Sequence, residues 1–177
     1  MRSIAKRCGM LFLMSFVAFF LQCTLLKAIS LALVSPNLLL IITAVVGYQM
    51  GPKYGSITGM FCGFFSDLFF GTYIGIHMLI YLYIGYLNGR LRSKFNDDSW
   101  RLPFLFVGAS DIAYGLVVYF IFYLLRGRFN FGYYLLNIII PETVYTLLML
   151  IPLYFILIKI IEQFADDSKR GTNTFAL

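Results

Sequence analysis

The groups able to do chemistry in this chain are few, and each sits inside or beside an apolar run: Asp67, Asp111 and Glu142, with His77, Asn37 and Asn88. Acids and amides in such surroundings must face protein or a water-filled cavity, because lipid would cost several kcal/mol for each. Two kinds of chemistry are open to them. Asp67 and Glu142 are acceptors and His77 is a donor or proton switch, so with Asn37 they could line a polar pocket. Alternatively they are interhelical hydrogen bonds, worth about 0.6 kcal/mol each on average. No catalytic constellation emerges: there is one histidine, no H-E-x-x-H, no G-x-S-x-G, no Walker loop and no metal-ligand spacing. Ser66 and Asp67 are adjacent on a helix and point in different directions, so they do not make a hydrolytic pair. No enzyme activity, cofactor or metal is expected.

Elements that must position these groups follow from composition. The 177-residue chain is 60% hydrophobic and 12% charged, with mean hydropathy +0.84. Soluble domains carry about a quarter charged residues, so a soluble module is excluded. The apolar runs predict an all-α, polytopic membrane protein: a single transmembrane domain over 1–177, built as a six-helix bundle. Helices are expected over about 9–28, 37–50, 55–72, 75–90, 103–125 and 134–160. The basic N-terminus and the run from Gly9 to Leu26 read as an uncleaved first span, too long for a secretory h-region. Ser35-Pro36 marks the start of helix 2, and Pro141 is expected to kink helix 6. The tail after Ile161 is polar and expected to fray. Cys8, Cys23 and Cys62 read as small hydrophobes, not as a disulfide framework.

Charge fixes the expected orientation. With a cytoplasmic N-terminus, the inside holds Arg2, Lys6, Arg7, Lys53, Arg90, Arg92, Lys94, Arg101, Lys159, Lys169 and Arg170, and the outside only Lys27, Arg126 and Arg128. This bias places both termini in the cytoplasm. Trp100 then marks the inner interface, and Tyr73, Tyr133 and Tyr134 the outer one. The net charge of +6 is an orientation signal, and no nucleic-acid partner is expected. The polar loop 88–101 is read as topology-setting charge, with docking of a cytoplasmic partner or anionic lipid as the alternative. At these depths Asn37, Asp67, His77 and Glu142 all lie towards the outside, on four different helices.

One stretch organises the rest: Gly55, Gly59, Gly63, Asp67 and Gly71 recur every fourth residue. Successive members are helix neighbours and make a smooth groove for another helix, either of this bundle or of a partner. On helix 5, Gly108 and Gly115 flank Asp111 in the same manner. On helix 4, His77, Tyr81, Gly85 and Asn88 share a face.

The order Ser35-Pro-Asn-Leu-Leu-Leu, Gly51-Pro-Lys-Tyr-Gly55, the Gly59/Gly63/Asp67/Gly71 series, Gly75-Ile-His77, Gly85-Tyr-Leu-Asn-Gly-Arg90 and Pro141-Glu-Thr-Val-Tyr145 resembles the rod shape-determining MreD family. Thr146 stands where many members would have Asn. The resemblance covers nearly the whole chain. It implies a non-enzymatic subunit of the bacterial inner membrane, acting in cell-wall elongation with MreC as the most direct partner. MreB, the glycosyltransferase RodA and a class-B penicillin-binding protein would complete the complex. The family is also similar in fold to the S-components of energy-coupling-factor transporters, which bind small molecules in an outward pocket. That leaves a second reading, a small-molecule or lipid-binding subunit. Against it, helix 1 is bulky from Leu11 to Leu21, where S-components often carry small residues. A third reading is a proton relay through Asp67, Asp111 and Glu142.

Overall fold

The computed structural model describes residues 2–26, 35–71, 73–92, 101–123 and 130–173. Six helical elements carry them. Helix α1 is Arg2–Leu21, extended by a π-turn at Gln22–Leu26. Next come α2 (Leu38–Met50), α3 (Pro52–Phe70), α4 (Ile76–Arg92) and α5 (Arg101–Phe122). The last run, α6, joins Phe131–Tyr134, a π-turn at Leu135–Ile139 and Ile140–Asn173. No strand occurs among the described residues. Three of these helices, containing Arg7–Thr24, Arg101–Phe122 and Phe131–Gln163, are long and apolar enough to cross a membrane.

Several boundaries differ from the sequence reading. Helix 1 starts at Arg2, where 9 was expected, and α6 reaches Asn173, where fraying after Ile161 was expected. In both cases the backbone ladder continues past the end of the apolar run, since charged residues such as Lys and Arg are good helix formers. Near Pro141, where a kink was expected, α6 carries a π-turn: the Ile140 N–H reaches back five residues to the Leu135 carbonyl. Lys27, Lys94, Trp100, Arg126 and Arg128, and most of the loop 88–101, lie outside the described residues.

The hub is α2. Every residue from Leu38 to Tyr48 is buried, and α2 touches α1, α3, α4, α5 and α6. A helix apolar all round must be enclosed by protein or by lipid, and α2 is enclosed by protein. With 13 residues it is about 20 Å long, short of the roughly 30 Å hydrocarbon core. Its N-terminus is therefore inside protein, where the orphan N–H groups of the first turn need partners. They have them. Asn37 N–H donates to Thr146 Oγ1 (3.1 Å), Leu39 N–H to Gln22 Oε1 (3.2 Å) and Leu40 N–H to Asn37 Oδ1 (3.1 Å).

Two faces of α3 are used differently. One carries Gly55, Gly59 and Gly63, and the backbone of α4 lies directly on it. A Cβ at any of these three would fall under 3.0 Å from backbone atoms of Gly85, Tyr81 or Met78. The opposite relation holds too, since a Cβ at Gly85 would meet the Gly55 backbone and one at Gly89 would meet Pro52. The groove is thus filled by this chain's own α4, which removes it as a surface for another protein. The other face of α3 presents aromatic rings to α1. Phe12 meets Phe61 at 5.3 Å and Phe19 meets Phe69 at 4.7 Å between ring centroids.

Outward faces are apolar. Phe12, Leu13, Phe16, Val17 and Phe20 on α1 and Leu136, Ile140, Val144, Leu148, Ile151 and Phe155 on α6 are exposed. In a soluble protein such faces would be aggregation surfaces, and on this chain they form the boundary with lipid.

Candidate functional site: two buried polar clusters

The four residues expected in one outward pocket are divided between two clusters. Asp67 and His77 form the first. Asp67 lies in the last turn of α3, and its carboxylate is met by Gly75 and the first residues of α4. Oδ2 accepts from Gly75 N–H (2.8 Å) and Met78 N–H (3.0 Å), while Oδ1 accepts from His77 N–H (3.1 Å) and contacts His77 Nδ1 (2.8 Å). An acid so placed satisfies the first N–H groups of α4 and complements its dipole, the role of an N-terminal cap supplied from a different helix. Gly75 makes the return possible, because its φ of 107° is a conformation that side chains rarely adopt. Gly71 sits where α3 stops, its N–H on the Asp67 carbonyl at 3.1 Å. The His77 ring stacks on Phe122 with centroids 5.7 Å apart. With its oxygens saturated and its side chain fully buried, Asp67 is a structural clasp and has no free lone pair for a ligand.

The second cluster lies between α2, α4, α5 and α6. Asn37 Oδ1 accepts from Tyr81 Oη at 2.8 Å as well as from Leu40 N–H. Asn37 and Tyr81 are 4% and 1% exposed, so they close the interior instead of lining an open pocket. Tyr81 stands 5.2 Å, ring to ring, from Tyr114 of α5, whose other neighbours include His77 at 6.2 Å and the acids Glu142 and Asp111. Glu142 is half-buried beside Asp111. Tyr114 therefore stands between the clusters, and Glu142 belongs with Asp111.

Asp111 is the exception among these groups. It is 2% exposed, and neither carboxylate oxygen has a hydrogen-bond partner. Thr143 and Thr146 of α6 flank it. Thr143 Oγ1 donates to the Ile139 carbonyl (2.9 Å), and Thr146 Oγ1 receives Asn37 N–H. Both hydroxyls stand close to the acid, but neither makes a hydrogen bond of full geometry to it. The glycines beside Asp111 set this approach: Gly108 faces the Leu147 side chain at ordinary contact distance, and Gly115 faces Ile139 more tightly. Leu147, Thr143 and Ile139 thus pair in antiparallel register with Gly108, Asp111 and Gly115.

Asn88, expected as a buried polar residue on the α4 face, is 2% exposed and donates to Ile84 O (2.8 Å) and Ser110 Oγ (2.7 Å). At the same end of the molecule Arg92 donates to Tyr48 O (3.2 Å) and Gln49 Oε1 (3.1 Å), and its guanidinium lies 4.6 Å from the Tyr48 ring centroid. Arg7 donates to Tyr54 Oη at 3.0 Å. Cys62 is buried, Cys8 and Cys23 are half-buried, and all three are free thiols. Among the described residues no group of three or more His, Cys, Asp or Glu could hold a metal ion.

Spacing marks Tyr81 as part of the helix 4 face but not Tyr114 or Thr143, and Thr146 stands out only as a departure from a family pattern. The signal was present in Thr143-x-x-Thr146, which shares a helix face with Ile139 and Leu147. Tyr114, one tyrosine in an aromatic-rich chain, gives no such hint.

Comparison with known proteins agrees with this architecture. The description "rod shape-determining protein MreD" matches residues 2–164. No curated relative and no solved structure matches. The chain belongs to the MreD family of rod shape-determining membrane proteins.

Proposed function

From that membership, we propose that the chain is a non-enzymatic, multi-pass subunit of the bacterial cytoplasmic membrane. It scaffolds MreC and links the peptidoglycan synthases, RodA and a class-B penicillin-binding protein, to the MreB cytoskeleton. The observation that carries this reading is the family match over 2–164, nearly the whole chain. The interior supports it. Several polar residues are spent on tying helices together, and the oxygens of Asp67 and Asn37, which could have lined a ligand pocket, are taken up by the chain itself.

Both termini face the cytoplasm in this proposal. Arg7 and Arg92 both meet the inner ends of α2 and α3, at Tyr54, Tyr48 and Gln49. A shared basic end is what the positive-inside rule requires.

With α4 occupying the glycine groove, partners meet the chain on its exposed apolar faces or its loops. Expression in a rod-shaped bacterium depleted of its own MreD tests the function. Restored rod shape is expected. Round cells despite normal amounts of folded protein in the membrane would sink the proposal.

A further inference from the structure

A carboxylate that is sealed from water and unpartnered on both oxygens is costly, since burying an unpaired ion costs far more than burying a neutral polar group. Asp111 is in that position, and a second acid, Glu142, stands beside it. Among the described residues no basic side chain forms an ion pair with either; the one such pair there joins His77 to Asp67. Hydroxyl oxygens are the neighbours of Asp111 instead. Thr143 Oγ1 has sent its proton to the Ile139 carbonyl, which leaves its lone pairs free to accept. Thr146 Oγ1 has a second lone pair beyond the one used by Asn37 N–H.

The backbone of α6 is irregular nearby as well. The π-turn at Leu135–Ile139 precedes Pro141, which has no N–H, so a carbonyl of the preceding turn loses its backbone donor. Single π-turns inside helices frequently occur at functional sites.

We propose that the α5–α6 seam binds a sodium ion, held by the Asp111 carboxylate with the Thr143 and Thr146 hydroxyls and the Glu142 carboxylate. Hard oxygen ligands of this kind suit such an ion, whereas soft transition metals prefer nitrogen and sulfur. The ion supplies the positive charge that the seam lacks and joins α6 to α5 at the point where Thr146 also holds the start of α2. Occupancy therefore stabilises the packing of three helices together.

The test uses the full-length protein purified in mild detergent, with thermal unfolding followed by helical circular dichroism. Sodium chloride is titrated against N-methyl-glucamine chloride at constant ionic strength, and radiolabelled sodium binding is measured in parallel. The unfolding midpoint should rise by several degrees and saturate with sodium, and the label should bind. D111N should abolish both responses. T146V should raise the half-saturating sodium concentration about tenfold, the worth of about 1.4 kcal/mol, and it serves as the reporter if D111N does not fold. An unfolding midpoint equal in the two salts, with no bound label, would overturn the proposal and leave a proton or a water at Asp111. A sodium response retained unchanged in folded D111N or T146V would overturn it too.

Discussion

Asp67 and Asp111 are each 2% exposed and each sits on a glycine-flanked helix face, yet their surroundings are opposite. Four hydrogen-bond contacts converge on Asp67, whereas Asp111 has hydroxyls close by but no hydrogen bond of full geometry. Replacing Asp67 by alanine leaves three buried N–H groups without acceptors, so a loss of roughly 3 kcal/mol of stability is expected, read as a lower unfolding midpoint in detergent. If D67A unfolds within a degree of the wild type, the clasp contributes nothing. Tyr81→Phe removes one bond from Asn37 but leaves the Leu40 cap, and should cost only about 1 kcal/mol. The sequence made Asp67 conspicuous by its spacing from the glycines. Spacing could not show that the chain turns back at Gly75 and brings three amides onto the carboxylate, because that contact depends on a loop conformation. It likewise could not tell a saturated acid from an empty one, which is why Asp111 attracted less notice than Asp67.

Among elements, the α3–α4 pair shows what the glycine repeat does. Its period was legible, and so was its consequence, close helix approach. The identity of the approaching helix was not, because a repeat specifies a smooth surface and says nothing of what rests on it. Gly59→Ala puts a methyl group against backbone atoms of Tyr81 and Leu82, which cannot move aside as a flexible side chain could. Overpacking of that kind should cost about 2 kcal/mol or more. Gly108→Ala meets only the Leu147 side chain at ordinary contact distance, so it should be neutral or stabilising by up to about 1 kcal/mol. Unfolding midpoints of the two variants side by side check this contrast. Equal effects would mean that α3 and α4 are not in backbone contact. The enclosure of α2 was less legible: over 37–50 it is short for a span, but apolarity alone does not tell enclosure by protein from enclosure by lipid.

For the whole molecule, composition gave the class and the order of motifs gave the family, while the partition of polar groups required three dimensions. Asn37, Asp67, His77 and Glu142 do lie on different helices, as the chain order implied. Their depths were similar on paper, yet rotation of each helix about its axis decides which of them meet, and a linear pattern does not encode rotation across helices. Among the described residues the interior is closed, and its buried polar side-chain atoms are hydrogen-bonded except at Asp111 and at Asn88 Oδ1. Such an interior favours a scaffold over a carrier, and the exposed faces and loops are left for partners. The most direct measurement is co-purification of MreC with the tagged chain from membranes in mild detergent. Near-stoichiometric MreC is predicted with the wild type, and retention of MreC is predicted with D111N so long as it folds. A folded, monodisperse protein that carries no MreC would contradict the account.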